Sequence, residues 1–268
     1  MRRLVISEWR RLWNKKITWL VLLLIPFIVG ISVPYYLQKN ENIDSSSAEF
    51  TSFGNFPIMS ISEQLISIFN LVVIWLVVSI VTEEYHSGQL RLVLLRAYNF
   101  KQIFTAKFLT ALLALAVYLI TFFIFSYGFG FIFFPNVESI SLFHYANPVS
   151  FAEAFLYSVA YYAVVWLTLV AMVCVMLLFA VVCKTPIIAL GIGTGFLIFS
   201  LMFPNIVENA SGNSILEFFS ITQIQWQGIV LMLHEIPALL NYGGILVGYI
   251  VIFYMISRLF FVKMDQFT

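Results

Sequence analysis

Long uncharged apolar stretches recur along this chain, and charges collect in the short segments between them. The windows run Ile17–Gln38, Gln64–Thr82, Phe108–Val137, Ala154–Cys183, Thr185–Val207 and Ile236–Ser257. Each matches or approaches the roughly 20 residues a helix needs to cross a hydrocarbon core of about 30 Å. They predict spans over 17–38, 64–82, 108–134, 154–183, 185–204 and 238–257. A further run, Phe218–His234, is shorter and carries Gln223, Gln225 and Gln227 beside Trp226 and the apolar stretch Ile229–Leu233. Within the segment 205–237 it predicts a re-entrant or interfacial helix rather than another crossing. The expected fold is an all-α polytopic membrane protein, a single transmembrane domain of six helices over 1–268.

The same alternation predicts an element before the first span. Over residues 1–16, Leu4, Val5, Trp9, Leu12 and Trp13 recur at helical spacing among Arg2, Arg3, Arg10 and Arg11. This pattern predicts an amphipathic helix at the membrane interface, its indole rings at headgroup depth. The basic start and apolar run also resemble a signal peptide. The run is too long for one, however, and only Pro34-Tyr35-Tyr36 follows where small residues would mark cleavage, so an uncleaved first span is expected. A short helix near Ile61–Leu65 is expected in the loop before the second span.

Composition and charge fix how the spans face. With 62% hydrophobic residues, 10% charged and mean hydropathy +0.97, the chain has too little polar surface to coat a soluble globule. Of 14 basic residues, Arg2, Arg3, Arg10, Arg11, Lys15 and Lys16 precede the first span. Arg91, Arg96, Lys101 and Lys107 fall between the second and third, Lys184 between the fourth and fifth, and Arg258 and Lys263 after the last. Lys39 stands on the other side. The positive-inside rule therefore places both termini in the cytoplasm of a multi-pass protein of the cell's inner or plasma membrane.

Reactive chemistry is sparse. Cys174 and Cys183 are nine apart on one span, and His86, His144 and His234 fall on different loops, so no metal site and no catalytic residues are expected. A membrane-embedded enzyme would have to work through His144, Glu153 or His234 at the outer face. The span centres carry no ionisable side chain, which disfavours an ion-driven carrier. Asn70, Ser79, Ser126 and Thr194 are expected to hydrogen-bond between helices. Gly191 with Gly195, and Gly244 with Gly248, have the spacing that lets helices pack closely, within one subunit or against another. The aromatic run Phe122, Phe123, Phe125, Tyr127, Phe129, Phe131, Phe133 and Phe134 reads as lipid-facing bulk or as a substrate path. The chain contains no G-x-x-x-x-G-K-[ST], so it has no P-loop with which to hydrolyse ATP. Nothing in it points to nucleic acid.

The most distinctive polar segment, 83–101, follows the second span. Glu83 and Glu84 stand at its start, Gly88 permits a sharp turn, and Leu90, Leu94 and Leu95 can line one face of a short helix with Arg91 and Arg96 opposite. Glu84, Gly88, Leu94, Leu95, Lys101 and Lys107 together resemble the motif of the ABC-2 type transporter permeases. Gln89 stands where that family often has Thr, and Arg96-Ala97-Tyr98 where it often has Pro. The resemblance covers the whole chain: basic amphipathic start, six spans, and a re-entrant segment before the last. It implies that 83–101 is a coupling helix docking on a separate cytoplasmic P-loop ATPase, present in two copies, which holds ATP and Mg. A second permease, identical or homologous, would complete the unit. The implied cargo is apolar or amphipathic: a lipid, a drug or a membrane-active peptide antibiotic, as in resistance exporters. The alternative class is a non-transporting scaffold recruiting a cytoplasmic partner.

Overall fold

The computed structural model describes the chain except residues 45, 46, 48, 87–98, 138, 139, 143–147, 184, 212–218 and 264–268, and describes 84–86 and 208–211 by backbone alone. Among the described residues the regular secondary structure is helical apart from an isolated antiparallel bridge between Ile140 and Val149. The helices are α1 (Arg2–Trp13), α2 (Lys16–Asn40), α3 (Phe56–Gln64), α4 (Asn70–His86), α5 (Phe100–Phe133), α6 (Phe151–Val182), α7 (Pro186–Ser211), α8 (Ile221–Gln223), α9 (Ile229–His234) and α10 (Ile236–Lys263). Wider π turns, Leu65–Phe69 and Ile224–Gly228, join α3 to α4 and α8 to α9. Among the described residues six helical runs are long and apolar enough to cross a membrane.

The chain is thus an all-α polytopic membrane protein, with boundaries wider than the apolar windows suggest. The second span begins at Phe56 and absorbs the short helix expected near Ile61–Leu65. The third begins at Phe100, where the Gln102 side chain accepts from the Asn99 N–H at 3.4 Å. At the start of α6 the Ser150 N–H and hydroxyl both donate to Glu153, while the Glu153 N–H donates back to Ser150 Oγ. This is a capping box, satisfying donors that the first turn leaves open. It also commits the Glu153 carboxylate to a structural role.

Between α1 and α2 the chain turns at Asn14 and Lys15. Two side chains from the first turn of α2 close the end of α1: Thr18 Oγ1 donates to the Leu12 carbonyl at 2.7 Å, and Trp19 Nε1 to the Trp13 carbonyl at 2.9 Å. The angle between these helices is therefore fixed by hydrogen bonds as well as packing.

α6 lies at the centre of the bundle, packed against α4 and α10, with Val165, Leu169, Val173 and Met176 fully enclosed. α2, α7 and α10 lie outside and present Phe27, Ile31, Ile187, Ile198, Leu240 and Leu259 outward. A soluble protein does not expose so much large apolar surface. In lipid it is the expected exterior, and the helices associate through close packing and internal hydrogen bonds instead of a hydrophobic driving force.

Candidate functional site

Three polar constellations interrupt this apolar bundle, one at the α1 end, one inside, and one at the far end. The first is built by α1. Its buried stripe, Leu4–Glu8–Leu12, follows the four-residue spacing of one helix face but centres on a carboxylate. Glu8 meets Lys107 of α5 at 3.1 Å, and both side chains are almost completely enclosed, at 2% and 0% exposed. Lys107 also donates to the Ile80 carbonyl of α4 at 2.7 Å, and Arg11 donates to Glu8 at 3.4 Å. An ion pair removed from water persists only when its remaining donors and acceptors find partners, and these contacts supply them.

Beside it, the Lys15 ammonium donates to the Ser79 carbonyl (2.7 Å), Ser79 Oγ (2.8 Å) and Glu83 Oε2 (2.9 Å). Ser79 Oγ passes its own proton toward the same carboxylate at 3.3 Å. The α1 helix and the elbow after it are thus bolted to the ends of α4 and α5, which flank residues 87–98.

The second constellation lies midway along the bundle. Asn70 Nδ2 donates to Gln225 Oε1 at 2.7 Å, and Gln225 Nε2 donates back to Asn70 Oδ1 at 3.2 Å. Gln225 also donates to Thr168 of α6 at 3.4 Å. All three are fully buried. The helix Ile221–His234 enters the bundle far enough to pair with the middle of the second span, then turns back at Glu235, whose backbone is extended. Both partners adjoin or lie within π turns, where the ladder of backbone bonds is loosened.

The third is a cavity of about 570 Å³ at the end remote from α1. α2 contributes Tyr36 and Lys39, α3 Met59 and Glu63, α6 Tyr157 and Tyr161, and the entering helix Trp226 and Gln227. Lys39 is paired with Glu49 at 3.1 Å. Tyr36 donates to the Met59 carbonyl at 2.9 Å and stands beside Glu63.

The residues singled out from sequence scatter over this frame. Gly88, Leu90, Leu94 and Leu95 lie outside the described residues, as does His144, and only the backbone of Glu84 is described. Glu83 joins the Lys15 cluster, and Lys101 is exposed in the first turn of α5. Lys107 is not on a docking surface: its charge is consumed inside the bundle by Glu8. Arg2, Arg3 and Arg10 are exposed, whereas Trp9, Trp13 and Trp19 pack in sequence at the elbow in tilted and edge-to-face pairs, centroids 5.3 and 5.2 Å apart. The aromatic run of α5 is divided, with Phe122 and Phe134 buried and Phe131 and Phe133 exposed.

The glycine pairs leave open space toward the described residues: a methyl group on Gly191, Gly195, Gly244 or Gly248 would meet none of them within 4 Å. The packing glycine is Gly193, on the opposite face, where an added Cβ would lie 2.5 Å from Met176 Cε and 3.0 Å from Ile74 Cγ2. Ser126 does bond between helices, to Ser60 at 3.3 Å, while Thr194 donates to carbonyls of its own helix. Both cysteines are free and buried, burial pushes the Cys183 thiol up, and no group of metal-ligating side chains occurs among the described residues. Glu8, Gln225 and Glu63 were not singled out from the sequence.

The family described as "Protein of unknown function (DUF2705)" matches residues 16–267, nearly the whole chain. The chain belongs to that family. No curated protein and no solved structure matches it.

Proposed function

We propose that this member of the family is the permease subunit of an ATP-driven exporter of ABC-2 type. Its cytoplasmic face would be the α1 end and its substrate side the far end. The observation that carries the reading is the double bolt of Glu8 to Lys107 and Lys15 to Glu83. These pairs tie α1 rigidly to both helices that flank residues 87–98. A push on that segment by a cytoplasmic ATPase would therefore move α1, α4 and α5 as one body. α4 starts at the interior amide pair and is joined through the π turn Leu65–Phe69 to α3, which lines the cavity, so the same motion would reach the far end.

In this reading ATP and Mg²⁺ belong to the partner ATPase, used in two copies, and the chain itself contributes no catalytic group. A second permease would complete the unit, and the open glycine faces of α7 and α10 offer close approach for it.

The test is recovery of partners from native membranes in mild detergent, using the tagged chain and its Leu94→Asp variant. A P-loop ATPase that accompanies the parent and is lost with the variant is the expected result. Absence of any ATPase from both would overturn the reading and leave a scaffold as the working description.

A further inference from the structure

The far-end cavity has a chemistry more specific than its size. Its volume of about 570 Å³ suits a drug-sized group, since ligand pockets run about 300–1,000 Å³. Among the described residues two charged side chains line it, Lys39 and Glu63. They are not equivalent. Lys39 is neutralised by Glu49 at 3.1 Å, whereas Glu63 makes no salt bridge with any described residue. Among the described residues the charge of the wall without an ion-pair partner is therefore one carboxylate.

The same cavity is lined by Tyr36, which stands beside Glu63, and by Tyr157, Tyr161 and Trp226, the last 64% exposed although it is a large aromatic. Aromatic faces attract a cation through the ring quadrupole, and a carboxylate beside them adds a direct counter-ion. Ile58, Met59, Leu142, Val230 and Leu231 add apolar surface, and Asn55, Ser62 and Gln227 are its neutral polar groups. A single negative charge, an aromatic surround and an apolar floor select one ligand type.

We propose that this cavity binds a cationic amphiphile, an ammonium group borne on an apolar chain, with Glu63 as counter-ion and Trp226 and the tyrosines as the cation's aromatic contacts. The cation is either the head of a small amphiphile or a lysine side chain of an apolar peptide; both present the same group. The inference rests on the permease reading only in calling the ligand a cargo, since the binding chemistry stands without it.

The test uses the full-length chain in phosphatidylcholine nanodiscs, with empty nanodiscs subtracting partition into lipid. Binding of octyltrimethylammonium is compared with octanesulfonate, which has the same tail and the opposite charge. A second arm measures displacement by acetyl-Leu-Leu-Lys-Leu-Leu-amide, which reports whether a lysine side chain competes for the site. The ammonium is expected to bind at least about tenfold more tightly than the sulfonate, and Glu63→Gln to weaken it by about tenfold or more.

Trp226→Leu should cost about two- to fivefold. Lys39→Gln should leave binding unchanged or tighten it, because it releases Glu49. Glu63 is exposed, so Glu63→Gln should melt within experimental error of the parent, which separates lost binding from lost fold. Equal affinity for the sulfonate, or an unchanged affinity in Glu63→Gln, would overturn the assignment. Ammonium binding with no associated ATPase would sink the permease reading and leave the site intact. An associated ATPase with no ammonium binding would do the reverse.

Discussion

Replacing Lys107 by methionine keeps most of the unbranched side chain and removes its charge. The perturbation leaves the Glu8 carboxylate enclosed at 2% exposure, with Arg11 at 3.4 Å as a less close cation. Removing one partner of a buried ion pair typically costs about 3–5 kcal/mol, because the survivor keeps the desolvation penalty without the attraction. For a chain of this length that corresponds to a melting temperature lower by about 6–20 °C, at roughly 2–4 °C per kcal/mol.

Glu8→Leu alone should be costly for the same reason, because it leaves Lys107 enclosed without its carboxylate. The double variant Glu8→Leu, Lys107→Met removes both charges and fills the site with apolar atoms, so it should be markedly more stable than the sum of the singles implies. Thermal unfolding of all four proteins in one detergent closes the cycle, and a coupling above about 1 kcal/mol is expected. Additive effects would refute the argument, since they would mean that Glu8 and Lys107 do not sense each other. The Lys107→Met single also separates two roles: if it melts as the parent does, Lys107 is not a structural bolt.

Asn70→Leu should cost about 1–2 kcal/mol by leaving Gln225 with one weaker partner; Asn70→Leu combined with Gln225→Leu should recover part of that, measured as detergent melting. Gly193→Val should destabilise by about 1–3 kcal/mol through overpacking against Met176 and Ile74, whereas Gly191→Ala and Gly195→Ala should be neutral or gain up to about 1 kcal/mol of helix propensity. Glu153→Ala should lower the melting temperature slightly by removing one half of the capping box, with no effect on any activity beyond that stability change, or the outer-face enzyme reading returns. Because burial raises the Cys183 thiol, less thiolate is present at a given alkaline pH than in a free thiol; maleimide should label Cys183 more slowly than glutathione at pH about 8 and catch up as pH rises.

The spans were legible because a bilayer demands length and apolarity and little else, and both are local properties of the sequence. Asn70 stood out for the same reason, as an amide inside an apolar run. Its partner Gln225 did not, because their meeting joins positions 155 residues apart. Glu8 was hidden more thoroughly. Among arginines on a short helix it reads as one more surface charge, and its burial depends on Lys107, 99 residues away. Lys107 itself was read with the coupling segment because its spacing fits that motif, and only tertiary contact reassigns it. The glycine pairs drew attention by their four-residue spacing, yet spacing fixes which residues share a face and not which face meets a neighbour. One clue to the far-end site was present: Lys39 is the basic residue on the base-poor side, and it lies in the cavity wall.

A single helical run ties these sites together. Glu63, Asn70, Ser79 and Glu83 all lie between Phe56 and Glu83. Glu63 and Glu83 are twenty residues apart, about 30 Å at 1.5 Å per residue, which is the thickness of a hydrocarbon core. The run therefore carries one carboxylate at each edge of the apolar zone and none between. It is stiff from Asn70 to the Lys15 cluster, where α4 is a continuous α-helix. It is loosened at Leu65–Phe69, between the interior amide pair and the cavity residue Glu63. A displacement imposed at the α1 end would travel along the stiff part to Asn70 and reach the π turn, where rotation is least opposed by backbone hydrogen bonds. The Asn70–Gln225 bond would carry the same displacement to the entering helix, which supplies Trp226 to the other wall of the cavity. Both walls would then move in response to one input, which is the mechanical requirement for a binding site whose affinity is set from the opposite face of a membrane.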